Sequence, residues 1–229
     1  MRYRAVFFDR DGTLTYNDPA WEQVRRDCIR EWSGHDLDES YDFFIKHFRR
    51  VLDGGYPFAP YRTVGQELSF FRQWYLSVFE ELGITEKCAE RADYLTERLW
   101  YLKKQPYPET VEVLEQFRSH GYRMGVISDC PPSLELTLTD CGLHGYFTSF
   151  TASSLVGYGK PDARIYLAAL DAQGVTAAES LYVDDCAEEA DGARALGFTA
   201  FHLDRSRTLT DPRVIHDLRE LADYAGVSG

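Results

Sequence analysis

Ala5-Val6-Phe7-Phe8-Asp9-Arg10-Asp11-Gly12-Thr13-Leu14-Thr15 is an apolar run that stops abruptly at two carboxylates one residue apart, followed by a glycine. A short apolar run bounded by turn residues suits a strand buried on both faces, as in a parallel sheet covered by helices. The carboxylates then stand at the strand's carboxyl end, the edge where open α/β sheets bind ligands. Gly12 allows a sharp turn beside such a ligand. Two acids this close repel, so their surroundings must give them different protonation states or supply a cation. A hard, oxygen-seeking ion such as Mg²⁺ answers that need. One acid can then act as nucleophile and the other as general acid and base. An Asx turn closing a strand is the competing reading of Asp-Gly.

Outward from this stretch the texture changes. From Thr15 to about Gln105 the pattern predicts helices and no strand. Trp21, Val24, Cys28 and Trp32 lie at helical spacing behind Asp18 and Pro19, a cap and first turn. Tyr41, Phe44, Phe48, Val51 and Leu52 make a second stripe, stopped by Gly54-Gly55-Tyr56-Pro57. Leu68, Phe71, Tyr75, Val78 and Leu82 make a third, stopped by Gly83, and Ala92, Leu95, Leu99 and Leu102 a fourth. A small helical bundle is the simplest account.

After Pro106-Tyr107-Pro108 helix and strand alternate. A helix around Thr110 to His120 leads to a strand at Tyr122 to Ile127 that ends in Ser128-Asp129. A helix after Pro132 precedes a strand near Phe147 to Thr151. Asp162 caps a helix through Leu170, Ser180 to Val183 is a strand ending in Asp184-Asp185, and Phe198 to Leu203 is another strand. A last helix runs from about Pro212 to Tyr224. The alternation predicts an α/β fold, a Rossmann-like parallel sheet flanked by helices, with an inserted all-helical domain. The core takes residues 1–15 and 107–229, and the insertion takes 16–106.

Bulk properties agree with this division. A chain of 229 residues makes one large domain or two smaller ones, at roughly 100–200 residues per domain. No window nears the ~18 apolar residues of a membrane span and neither end reads as a signal peptide, so a soluble cytoplasmic protein is expected. Five cysteines without Cys-x-x-Cys spacing argue against a disulfide framework or a zinc site. The net charge of −12 disfavours nucleic acid or an anionic membrane as the main partner. An anionic substrate would need a local basic pocket or a bound metal.

In a parallel sheet the three polar strand ends, Asp9 and Asp11, Ser128 and Asp129, and Asp184 and Asp185, converge on one edge. Here the sequence resembles the haloacid dehalogenase superfamily of hydrolases in its helical-cap branch. Asp9-Arg10-Asp11-Gly12-Thr13-Leu14-Thr15 looks like the first motif of that family, and Ser128 after Met124-Gly125-Val126-Ile127 like the second. Lys160-Pro161 looks like the third motif, and Val183-Asp184-Asp185 with Gly192-Ala193-Arg194-Ala195-Leu196-Gly197 behind it like the fourth. Tyr107-Pro108-Glu109 resembles the family's return from its cap.

The resemblance implies a Mg²⁺-dependent phosphatase acting on a small phosphorylated metabolite through an aspartyl-phosphate. Asp9 would be the nucleophile. Asp11 would protonate the leaving oxygen, then activate water, while its backbone carbonyl binds Mg²⁺. Ser128, Asp129 and Lys160 would bind the substrate's phosphate, and Lys160 would offset the charge of nucleophile and phosphate. Asp9, Asp11 and Asp185 would bind the metal, with Asp184 bound directly or through water. Thr13 would hydrogen-bond the Asp9 loop, and strand alternation would turn Arg10 away.

Asp129 and Glu189 depart from the asparagines common in the family. Asp11 favours phosphate esters, because the dehalogenase branch lacks an aspartate there and phosphonate-cleaving relatives also depart at that position. Arg49, Arg50 and Arg62 of the insertion are candidates for a substrate's second anionic group. A sugar phosphomutase of the same family and a catalytically idle binding protein are the alternatives. A cysteine-based phosphatase is excluded, since no cysteine is followed by an arginine six positions later.

Overall fold

The computed structural model describes residues 3–52, 61–99 and 103–228. The opening apolar run forms β1 (Ala5–Phe8), buried along its whole length. Past the acidic turn the chain passes through a short strand, β2 (Thr15–Asn17). It then enters helices α1 (Pro19–Ser33), α2 (Tyr41–Val51), α3 (Val64–Glu81) and α4 (Cys88–Leu99). It returns through β3 (Lys104–Pro106), α5 (Thr110–Ser119), β4 (Arg123–Ser128) and α6 (Leu134–Asp140). Next come β5 (Ser149–Ala152), α7 (Ser153–Val156), α8 (Ala163–Gln173), β6 (Ser180–Asp184) and α9 (Ala187–Ala195). The chain closes with β7 (Thr199–Leu203), β8 (Val214–Ile215) and α10 (Leu218–Ala225).

The larger sheet has six strands in the order β5-β4-β1-β6-β7-β8, and every neighbouring pair is parallel. This is the α/β, Rossmann-like architecture expected from the alternation. Side chains of β1 alternate between two apolar layers. Val6 and Phe8 pack with Val113, Leu114 and Phe117 of α5 and Leu218 and Leu221 of α10. Ala5 and Phe7 pack with Ile165, Tyr166 and Ala169 of α8. Both faces are covered, so the strand reads as a continuous apolar run. No helix among the described residues is long and apolar enough to cross a membrane. Cys28, Cys88, Cys130, Cys141 and Cys186 are free thiols.

The chain divides into two compact units. One comprises Met1–Tyr16, Lys104–Cys130 and Leu134–Gly229, and the other Asn17–Lys103 with Pro131–Ser133. The second has its own core of Ile29, Phe43, Phe48, Phe70, Trp74, Val78, Phe79 and Leu95 among others. Its buried faces differ in part from the stripes read in the sequence. Val24 and Tyr41 are exposed, while Ile29 of α1 and Phe43 and His47 of α2 are buried. Helix α3 packs on both α2 and α4, so Phe70 and Trp74 are buried as well as Tyr75 and Val78. A helix covered on two sides carries more apolar positions than one stripe accounts for. The Gly54-Gly55-Tyr56-Pro57 stop and Leu102 lie outside the described residues.

Two expectations are corrected. The segment read as wholly helical has strands at both ends, β2 paired with β3. Three-residue strands are too short for alternation to register. The last helix starts at Leu218, not near Pro212, which sits in a turn closed by the Val214 N–H to the Asp211 carbonyl at 2.9 Å. Asp217 caps α10 by accepting the Arg219 N–H at 2.9 Å.

At Gly125 on β4, an added Cβ would lie 2.8 Å from the Phe7 ring and 2.5 Å from Ser149 Oγ. Gly125→Ala is therefore expected to cost about 1–3 kcal/mol through overpacking. Urea unfolding followed by circular dichroism and tyrosine fluorescence checks this, and an unchanged midpoint would contradict it.

Candidate active site

Strands β4, β1 and β6 lie side by side in register, Phe8 pairing with Val126 on one flank and Val183 on the other. Their carboxyl ends therefore bring Ser128, Asp9 and Asp184-Asp185 to one edge of the sheet. The Asp9 N–H continues the ladder by donating to the Val183 carbonyl at 3.0 Å. Lys160 enters from the turn before α8. Its Nζ donates to Asp9 Oδ1 at 2.7 Å and Asp184 Oδ2 at 2.8 Å, and lies 2.6 Å from Glu189 Oε2. The Lys160 side chain is only 1% exposed, so these contacts are made away from water.

Two features hold Lys160 there. Both carboxylate oxygens of Asp129 accept its backbone N–H, at 3.0 and 3.1 Å. Asp129, expected beside the phosphate, thus has its carboxylate on the Lys160 backbone. Gly192 of α9 packs against the same turn, and a Cβ there would come within 3.1 Å of the Pro161 carbonyl oxygen. Only a glycine lets the helix approach so closely.

Burial pushes the Asp9 carboxyl well above its ordinary range, Lys160 opposes this, and Asp184 adds to it. Burial alone would lower the Lys160 ammonium, but Asp9, Tyr182, Asp184 and Glu189 together raise it, so it stays charged. Glu189 is pushed up to about 7, mainly by burial, with Lys160 opposing and Asp184 reinforcing. Asp184 accepts from three protein donors. The Tyr182 hydroxyl and Lys160 reach Oδ2, and the Cys186 N–H donates to Oδ1 at 2.9 Å.

Asp11 has a different environment. Arg10 Nε and Nη2 donate to its two oxygens at 3.1 and 2.7 Å, and Lys104 Nζ lies 3.0 Å from Oδ1. Burial raises the Asp11 carboxyl, but Arg10 and Lys104 outweigh it and hold the group well below the usual carboxylate range. Arg10 does not turn away as alternation implied. Strand β1 ends at Phe8, so a period of two no longer governs residue 10. Its Nη1 is anchored on Thr137 Oγ1 of α6 at 2.8 Å.

Arg205, which the sequence reading did not single out, fixes the loop after the acids. Its guanidinium donates to the Gly12 carbonyl at 2.9 Å, the Thr13 carbonyl at 2.6 Å and Glu109 Oε1 at 2.7 Å, and stacks 3.4 Å over Tyr107. The buried Thr13 hydroxyl, expected to bond within this loop, has no hydrogen-bond partner among the described residues. Ser128 is buried at the end of β4 beside the Cys130 thiol, which burial pushes up to about 11. Lys104 and Arg205 carry no local sequence signal. Tyr182 had one, since it shares a strand face with Asp184 two residues on.

Carboxylate oxygens of Asp9, Asp184 and Asp185 all lie within 4.8 Å of one another. Gly12, at φ +79°, lets the Asp185 carboxylate press against the loop that follows Asp9, where any side chain would collide with it. Hard oxygen donors in a cluster with excess negative charge fit a divalent cation. Arg50 of α2 is paired with Glu80 at 2.6 Å.

The model of the haloacid dehalogenase-like hydrolases matches residues 3–197. This chain belongs to that family. It is similar to Phosphatase MT3486 of Mycobacterium tuberculosis, at 31% identity over 96% of both chains. It is also similar to a phosphoserine phosphatase of Thermus thermophilus, at 32% identity over 70% of this chain and 68% of the relative. Among solved structures, the L-2-haloacid dehalogenase RSc1362 aligns with a TM-score of 0.67 at 25% identity, over 99% of this chain and 100% of that one. As a hydrolase of this family, the chain carries Glu189 as a third carboxylate on its motif lysine.

Glu189 binds its proton more tightly folded than unfolded. The stability it contributes is full below its ordinary value of about 4.5 and is lost as pH rises through about 7. Glu189→Gln is therefore expected to gain stability relative to the parent across that window, by up to about 3 kcal/mol. Urea unfolding in chelator on either side of the window measures it, and a pH-independent difference would refute the shift.

Proposed function

We propose that this chain is a Mg²⁺-dependent phosphoric monoester hydrolase acting on a small phosphorylated metabolite through an aspartyl-phosphate on Asp9. One observation carries the reading. Lys160 holds Asp9 Oδ1 at the carboxyl edge of the central strand and leaves Oδ2 without a protein hydrogen-bond donor among the described residues. Asp11 stands two residues on. Oδ2 attacks phosphorus as the ester oxygen departs, and Asp11, having first taken a proton from solvent against the pull of Arg10 and Lys104, gives it to that oxygen. Asp11, now ionised, takes a proton from water. The resulting hydroxide attacks phosphorus, the bond to Asp9 breaks, and phosphate leaves.

Ser128 holds the phosphoryl oxygens in this scheme, and Lys160 balances their charge against Asp9. Asp129 acts by seating Lys160. Asp9, Asp185 and the Asp11 carbonyl are the proposed holders of Mg²⁺, with Asp184 directly or through water; when bound, the ion supplies charge that neutralises the phosphoryl oxygens. Relatives named as phosphatases support the substrate class. The presence of Asp11 favours an ester whose leaving alkoxide needs a proton over a halide that does not.

Free phosphate released from p-nitrophenyl phosphate and a panel of phosphorylated metabolites tests the reading. Asp9→Asn is expected to lose at least about a thousandfold in turnover with its melting temperature nearly unchanged. Acid-quenched wild-type protein should carry a phosphoryl label that this variant lacks. Wild-type rates in the variant would overturn the covalent step, and isomerisation of a sugar phosphate without phosphate release would point to the mutase. Excess chelator is expected to abolish turnover and added Mg²⁺ to restore it; full activity in chelator would refute the metal.

A further inference from the structure

Asp11 is gripped by more cationic side chains than its charge requires. The Arg10 guanidinium already meets both carboxylate oxygens, and Arg10 is itself tied into the core through Thr137. That fork balances one carboxylate. Lys104, where the chain re-enters the sheet-bearing unit, nevertheless lies 3.0 Å from Oδ1, with its side chain only 10% exposed. The Thr15 hydroxyl reaches the same oxygen at 3.4 Å.

Thr15 opens β2 and Lys104 opens β3, the paired strands through which the chain leaves and re-enters the sheet-bearing unit. The Leu14 carbonyl ties the two crossings further, accepting the Tyr107 N–H at 3.1 Å and the Thr110 hydroxyl at 2.9 Å. The Asp11 carboxylate is thus held from its own loop by Arg10 and from both crossing strands by Thr15 and Lys104.

We propose that Lys104 is a positioning residue for Asp11, turning its carboxylate toward the leaving oxygen. The proposal rests on the reading of Asp11 as acid and base. Charge neutralisation is already met by Arg10; Lys104 restricts the rotation of a short side chain set on a glycine-containing loop. Proton transfer to a departing oxygen demands such orientation, and a misplacement near 1 Å costs up to about a hundredfold in rate.

The consequence depends on the leaving group. Because kcat/KM reports steps up to the first irreversible one, it isolates departure of the ester oxygen from later hydrolysis of the aspartyl-phosphate. p-Nitrophenolate leaves without protonation, whereas the alkoxide of glycerol 2-phosphate needs a proton. Lys104→Met is expected to lower the ratio of kcat/KM for glycerol 2-phosphate to that for p-nitrophenyl phosphate about tenfold, and Lys104→Arg to restore most of it. A purely structural role would depress both esters together and leave the ratio unchanged. That result, or a rise in the ratio, overturns the proposal.

Asp11→Asn, measured on the same two esters, separates the layers. If it lowers the ratio while Lys104→Met does not, only the role of Lys104 fails. If it too leaves the ratio unchanged, the acid role of Asp11 fails beneath it. Lys104→Gln carries the comparison should the methionine variant melt early.

Discussion

One ammonium group organises the active edge of this protein. Without Lys160, the carboxylates of Asp9, Asp184 and Glu189 would face one another with little water to screen them. A buried charge stripped of its partner costs about 3–5 kcal/mol. The surrounding structure serves that contact. Asp129 seats the lysine's backbone, Gly192 admits α9 against Pro161, and the Tyr182 hydroxyl and the Cys186 N–H also donate to Asp184. Adjacency of β1 and β6 makes the arrangement possible, since their parallel register sets Asp9 and Asp184 at neighbouring strand ends.

What the sequence makes legible follows from the range of the forces involved. A parallel sheet buried on both faces writes itself as apolar runs such as Ala5–Phe8, and acids directly after such runs stand out because nothing local explains them. Caps are legible for the same reason. Asp18 and Asp162 accept the N–H groups two residues on, as their positions ahead of the helices imply. Arg10, Lys104 and Arg205 act through tertiary placement, and no spacing announces them. Arg205 shows why. Its contacts to Gly12, Thr13, Glu109 and Tyr107 exist only after the loop following β7 has folded back over the turn following β1.

That lock also explains why the return segment Tyr107-Pro108-Glu109 has the chemistry it has. Tyr107 gives a flat face to the Arg205 guanidinium, and the buried Glu109 balances its charge. The loop bearing Asp11, Gly12 and Thr13 is therefore clamped by carbonyl acceptance on one side and by the β2–β3 ribbon on the other. Rigid support of this kind is what a reacting constellation requires, because its groups must hold their geometry while charge moves.

The acids of the first turn end in opposite electrostatic surroundings. Burial and Asp184 push Asp9 toward its protonated form, while Arg10 and Lys104 keep Asp11 ionised. Both states are the reverse of what the proposed first step uses, an ionised Asp9 and a protonated Asp11. That reversal poses a demand. A carboxyl that attacks phosphorus must be ionised, and an arriving phosphate ester adds negative charge to an edge already rich in acids. Lys160 is committed to Asp9, Asp184 and Glu189, and Arg10 and Lys104 to Asp11. The charge balance therefore calls for further positive charge beside Asp9 and Asp185, which is the physical argument for a divalent cation there.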